Sequence, residues 1–75
     1  ESMGETASQL SPMELRVALH IRQGLSAKEI AQIENISVDT VSTHRRSIRR
    51  KLGLTNAKVN LMTYLETHLD VPSSS

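Results

Sequence analysis

Apolar residues recur at helical spacing from Leu10 to Leu69, without the alternation of a strand, and the breaks between them carry helix start and stop residues. Ser11-Pro12-Met13-Glu14 opens the series. Its serine can accept from a free backbone N–H, its proline supplies the φ of a first helical turn, and its glutamate reaches back three residues. Gly24 ends that helix, and Ser26-Ala-Lys-Glu29 repeats the same box at once, leaving room only for an angled helix pair. Asn35 tolerates the positive φ that a tight turn needs before Ser37, the next cap. Gly53 stops the third helix, and Thr55 or Asn56 can start a fourth that ends near Leu69, ahead of Pro72. The pattern predicts an all-α, compact four-helix domain with helices at about 12–23, 27–34, 38–52 and 56–69. Two short helices across a tight turn, the second longer and basic, form a helix-turn-helix.

Size narrows the core and the organisation. The 75 residues make one domain, read as 10–69, with 1–9 a flexible tail or cloning remnant and 70–75 a disordered tail. With Tyr64 as its one aromatic residue, the core must come from Leu, Ile, Val, Met and Ala, which suits short helices packed side by side. There are no cysteines, so neither a disulfide framework nor a thiolate metal site is expected. No apolar stretch approaches a membrane span and no signal peptide is visible, so the expected location is the cytoplasm, at the bacterial nucleoid, with no membrane partner. A module with binding chemistry alone is expected to serve something else that senses a signal.

Charge changes the picture because it is segregated. Nine basic residues against eight acidic give a net charge of only +1, yet the stretch from Thr40 to Leu65 holds six basic residues and no acidic one. Five of the six lie in the run from Arg45 to Lys51, at the end of the third helix, a rod that fits the major groove of DNA. On a helical wheel Val41, Ile48 and Leu52 share one apolar stripe, and Thr43, Arg46 and Arg50 fall opposite, flanked by Ser42, Ser47 and Arg49. Small hydroxyl side chains permit close approach and arginine can fork onto guanine, so base reading is assigned to Ser42, Thr43 and Arg46. The stem of Arg45 is expected to cover core while its head reaches a phosphate. Arg49, Arg50 and Lys51 come where the helix leaves the groove floor and are assigned to the sugar-phosphate backbone. A basic helix end that only complements the macrodipole is the bland alternative, but a solvated face usually mixes signs, as Lys28 and Glu29 do. With about five cations on phosphates, log affinity is expected to fall against log salt with a slope of about −4 to −5 per monomer. On this division Arg46→Ala relaxes selection at one base pair, and Lys51→Ala weakens all sequences alike. One helix reads few base pairs, so double-stranded DNA is expected to be bound by a homodimer on paired half-sites, with Val59, Met62, Leu65 and Glu66 as interface candidates.

Leu10-Ser-Pro-Met-Glu14, Gly24-Leu-Ser-Ala-Lys-Glu-Ile-Ala31, Ile36-Ser-Val-Asp-Thr-Val41 and His44-Arg-Arg-Ser-Ile-Arg-Arg-Lys-Leu-Gly-Leu54 resemble, in order and with matching gaps, the signatures of the LuxR/NarL/FixJ-type (GerE-like) DNA-binding domain. Asn60-Leu-Met-Thr-Tyr-Leu65 resembles the fourth helix of a branch often attached to PAS sensors. The resemblance implies the output domain of a bacterial transcription regulator, dimeric on promoter DNA, its third helix in the major groove and its fourth at the dimer contact. By position it implies that Thr40, His44 and Lys51 touch phosphates, that Ser42, Thr43 and Arg46 face bases, and that Ser26 and Lys28 hold the backbone from the second helix. It also implies a sensor or receiver domain on the N-terminal side, and it leaves RNA polymerase open as a further partner.

Three departures stand out. Met13 and Arg16 replace the basic and acidic residues usual at those sites, which puts a first-helix salt bridge there in doubt. Glu34 occupies a position normally filled by leucine, where a carboxylate must turn outward or find a partner. Leu15 and Leu19 lie off the Val17–Ile21 stripe, as two exposed leucines available for docking. Two rivals share the helix-turn-helix: region 4 of a sigma factor, disfavoured by Lys51-Leu-Gly-Leu and a following helix, and a protein-interaction module, which predicts no salt-dependent DNA affinity. An enzyme is not expected. His20, His44 and His68 are dispersed, and neither a His-Glu-x-x-His motif nor a glycine-rich phosphate loop occurs, so no cofactor or metal is expected.

Overall fold

Three serines start three helices in the computed structural model, which describes residues 8–55 and 57–69. Helix α1 spans Pro12–Arg22, α2 Ala27–Glu34, α3 Val38–Lys51 and α4 Leu61–His68. Ser11 and Glu14 form the expected reciprocal box, with Glu14 N–H on Ser11 Oγ at 3.2 Å and Ser11 N–H on Glu14 Oε1 at 2.9 Å. Ser26 and Glu29 repeat it at 3.1 and 2.8 Å, and Ser37 Oγ accepts from Thr40 N–H at 3.0 Å. Each cap is worth about 1 kcal/mol, a substantial share for short helices. Asn35 adopts φ 59° and ψ 46°, the left-handed turn that lets only three residues separate α2 from α3.

Helix α1 packs on both α3 and α4, and α2 packs on α3. The junction is filled by Val17, Ile21, Ile30, Val41, Ile48, Leu61, Leu65 and Leu69, all almost fully buried. No strand occurs among the described residues, so the all-α reading holds. The expectations for 1–7, for Asn56 as a cap and for 70–75 fall outside the described residues.

Two expectations fail here. The fourth helix begins at Leu61, capped by Asn60, whose Oδ1 accepts from the N–H groups of Met62 and Thr63 at 2.9 and 3.3 Å. The preceding stretch is held open by Arg49: its guanidinium takes the carbonyls of Leu54 and Ala57 at 3.0 Å each and of Val59 at 3.1 Å, oxygens that a helix would turn along its own axis. Leu15 and Leu19 are half-buried and pack against the core instead of standing free.

Candidate nucleic-acid interface

Helix α3 is fixed from beneath by Val41 and Ile48, both fully buried, and this turns its opposite face outward. Ser42, Thr43, Arg46 and Arg50 are all exposed there. Among the described residues the side chains of Ser42 and Arg46 make no internal hydrogen bond, so both are available to a ligand. Thr43 Oγ1 donates to the Asp39 carbonyl at 3.1 Å, which leaves its oxygen lone pairs and methyl group unengaged. Arg50 touches Ser47 Oγ only at 3.5 Å. Arg45 is half-buried with a free head, as its place beside the apolar stripe requires. His44 is also half-buried, and Lys28 is exposed at the start of α2. The Ser26 hydroxyl accepts from Glu29 N–H and keeps its own hydrogen for another acceptor, while Thr40 Oγ1 lies 2.8 Å from Ser37 Oγ.

Two cations assigned to phosphates are engaged inside the protein. Arg49 ties the 54–59 segment to α3 through the three carbonyls above. Lys51 Nζ donates to Glu14 Oε1 at 2.7 Å, and Ser47 Oγ donates to Glu14 Oε2 at 2.6 Å. Burial pushes the Glu14 carboxyl up, but hydrogen bonds from Lys51, Ser47 and the Ser11 N–H outweigh it and hold the group at about 2, below its ordinary 4.5. Lys51, though 35% exposed, spends a donor on that buried carboxylate, and withdrawing it would cost the carboxylate its cationic partner. Both residues therefore hold α3 in place. Sequence reasoning read Glu14 as a cap only; its partners lie 33 and 37 residues away, and no local pattern links them.

Glu34 does find a partner, in fact two. Its side chain is only 4% exposed, with Arg16 Nη2 at 3.0 Å from Oε1 and His20 Nε2 at 2.6 Å from Oε2. A carboxylate can only accept, so Nε2 carries the proton. The hydrogen bond from His20, with the Arg16 charge beside it, keeps the Glu34 carboxyl below the usual carboxylate range against the opposing effect of burial. Arg16, at a site where the sequence put a first-helix salt bridge in doubt, thus pairs instead with the end of α2.

Of the dimer candidates, Leu65 is fully buried and belongs to the core. Met62 is half-buried beside Gly24. Val59 and Glu66 remain exposed. Ile33 and Val38, on either side of the turn, are also exposed, which the sequence pattern did not bring out. Among the described residues no group of His, Asp or Glu is placed to hold a metal ion, and no helix is long and apolar enough to cross a membrane.

Residues 8–65 match the family described as bacterial regulatory proteins, luxR family. The chain is 39% identical over 59 residues to the nitrate/nitrite response regulator protein NarP of Escherichia coli, covering 79% of this chain and 27% of that protein. It is 35% identical over 68 residues to the transcriptional regulatory protein MctR of Rhizobium johnstonii, covering 91% and 31%. The Fimbriae Z protein of Salmonella typhimurium is 39% identical over 59 residues, covering 79% and 28%. The chain thus spans less than a third of the length of these relatives. No solved structure matches significantly. A serine-capped helix pair across a left-handed asparagine, a basic helix with its outward face free and a family match over most of its length lead to one assignment: the chain belongs to the luxR family of bacterial regulatory proteins, as their helix-turn-helix DNA-binding domain.

Proposed function

We propose that this domain reads promoter DNA by laying α3 in the major groove, with Ser42, Thr43 and Arg46 at base edges and Ser26, Lys28, Thr40, His44, Arg45 and Arg50 at phosphates. The observation that carries the reading is the free guanidinium of Arg46, exposed among small hydroxyl residues on the face opposite the core. Arg49 and Lys51 are left out of the contact set because each has internal acceptors. The domain works by binding alone, in the cytoplasm at the nucleoid, without a cofactor.

Two copies on paired half-sites supply the specificity that one helix lacks, meeting through the exposed side of α4 with Val59 and Glu66 at the contact. Since two of the relatives are regulators by name and the match covers less than a third of each, the reading extends to a sensing or receiver domain outside this segment, and to RNA polymerase as the machinery it influences. The test is selection of bound sites from random double-stranded DNA with this chain, repeated for Arg46→Ala. We expect a two-fold-related site whose half-site spacing reports the dimer. Arg46→Ala should cost about 1–3 kcal/mol on that site and relax one base pair per half-site. Equal loss on specific and random DNA would remove Arg46 from the base-reading set.

A further inference from the structure

We infer that Asp39 is a base-selecting residue of this domain, its carboxylate accepting from a cytosine amino group in the major groove. The inference rests on reading α3 as the helix that enters the groove. On α3, Asp39, Thr43, Arg46 and Arg50 lie within about 60° of one another around the helix axis, so the carboxylate sits in the middle of the reading face and not at its edge. It is exposed, and among the described residues it makes no hydrogen bond or ion pair, whereas Glu14, Glu29 and Glu34 all have donors. The acid-free stretch of the sequence begins at Thr40, one residue beyond it.

Its place on the helix adds direction. Asp39 is the second residue of α3, and helical side chains lean toward the N-terminus, the end whose residues contact base edges in a helix-turn-helix. Its carbonyl also accepts from Thr43 Oγ1 at 3.1 Å, so the two residues share one local geometry on that face. An ionised carboxylate can only accept. The major groove offers it donors at cytosine N4 and adenine N6, but adenine places its N7 acceptor beside the amino group, while guanine and thymine present acceptors there. Phosphates repel it. A carboxylate on this face therefore weakens contact with most sequences and leaves cytosine as the favourable partner. An aspartate in a first turn also complements the helix dipole, an effect that is the same on every sequence.

The experiment is site selection from random double-stranded DNA at low salt with the unaltered chain, Asp39→Asn and Asp39→Ala, each checked for helical content by circular dichroism. The unaltered chain should select cytosine at one position per half-site, with other bases there binding roughly 5- to 150-fold more weakly. Asp39→Asn should move that position to adenine, which an amide can grip through N6 and N7, and Asp39→Ala should erase the preference there alone. Unchanged base preferences in both variants, with uniformly tighter binding, would overturn the inference and leave Asp39 a source of general repulsion. Should the unaltered chain select no sequence at all, the base-reading role of α3 falls first, and that of Asp39 falls with it.

Discussion

Glu14 takes hydrogen bonds from the Ser11 N–H, Ser47 and Lys51 at once, and so joins the first turn of α1 to the last turns of α3. Its folded-state carboxyl ionises at about 2 against an ordinary 4.5. A depressed carboxylate contributes stability that is present above the ordinary value and lost as pH falls toward the folded one. Glu34 is depressed too and acts in the same direction. We expect urea titrations to show the chain losing stability between about pH 4.5 and pH 2, and Glu14→Gln to remove much of that dependence while lowering stability at pH 7 by about 2–3 kcal/mol. Lys51→Ala should register in the same titrations, where the sequence alone placed its effect on DNA. A pH profile unchanged by Glu14→Gln would mean that the carboxylate is not held as its contacts indicate.

At the scale of elements, the capped starts were legible because a cap is local: Ser11, Ser26, Ser37 and Asn35 each act within a few residues. The outward side of α3 was legible for a related reason, since Val41 and Ile48 fix which side is inward. What escaped was every contact that spans the chain, including Arg49 on the 54–59 carbonyls, Lys51 on Glu14 and Arg16 with His20 on Glu34. Composition registers an arginine as a free charge, and only packing shows whether carbonyls surround it. The start of α4 was misplaced for this reason. Arg49→Met keeps the stem and removes the donors, so it should loosen residues 54–59 first. We expect faster amide exchange in that segment and a loss of about 1–3 kcal/mol in global stability, with affinity for DNA changed little.

For the whole molecule, the proposed contact set, without Arg49 and Lys51, has Lys28, Arg45 and Arg50 as its cations at phosphates and Arg46 at bases. The expected dependence of log affinity on log salt is then about −3 per monomer, shallower than the charge run alone suggests. A titration of a single half-site between low and physiological salt distinguishes the two. A slope of about −4 to −5 would mean that Lys51 and Arg49 both exchange their internal acceptors for phosphates on binding. The exposed side of α4 carries Thr63, Glu66 and Thr67, a polar surface that gives two copies little reason to associate without DNA to hold them together.

The ties from α3 to Glu14 also bear on engineering. Regulators of this kind invite exchange of the groove-lying helix between relatives to transplant a preferred operator. Here the transplant would arrive without its anchor unless Ser47 and Lys51 in the donor segment met an acidic residue at position 14 of the recipient. Portability of specificity is therefore a property of the helix together with a residue some thirty positions upstream.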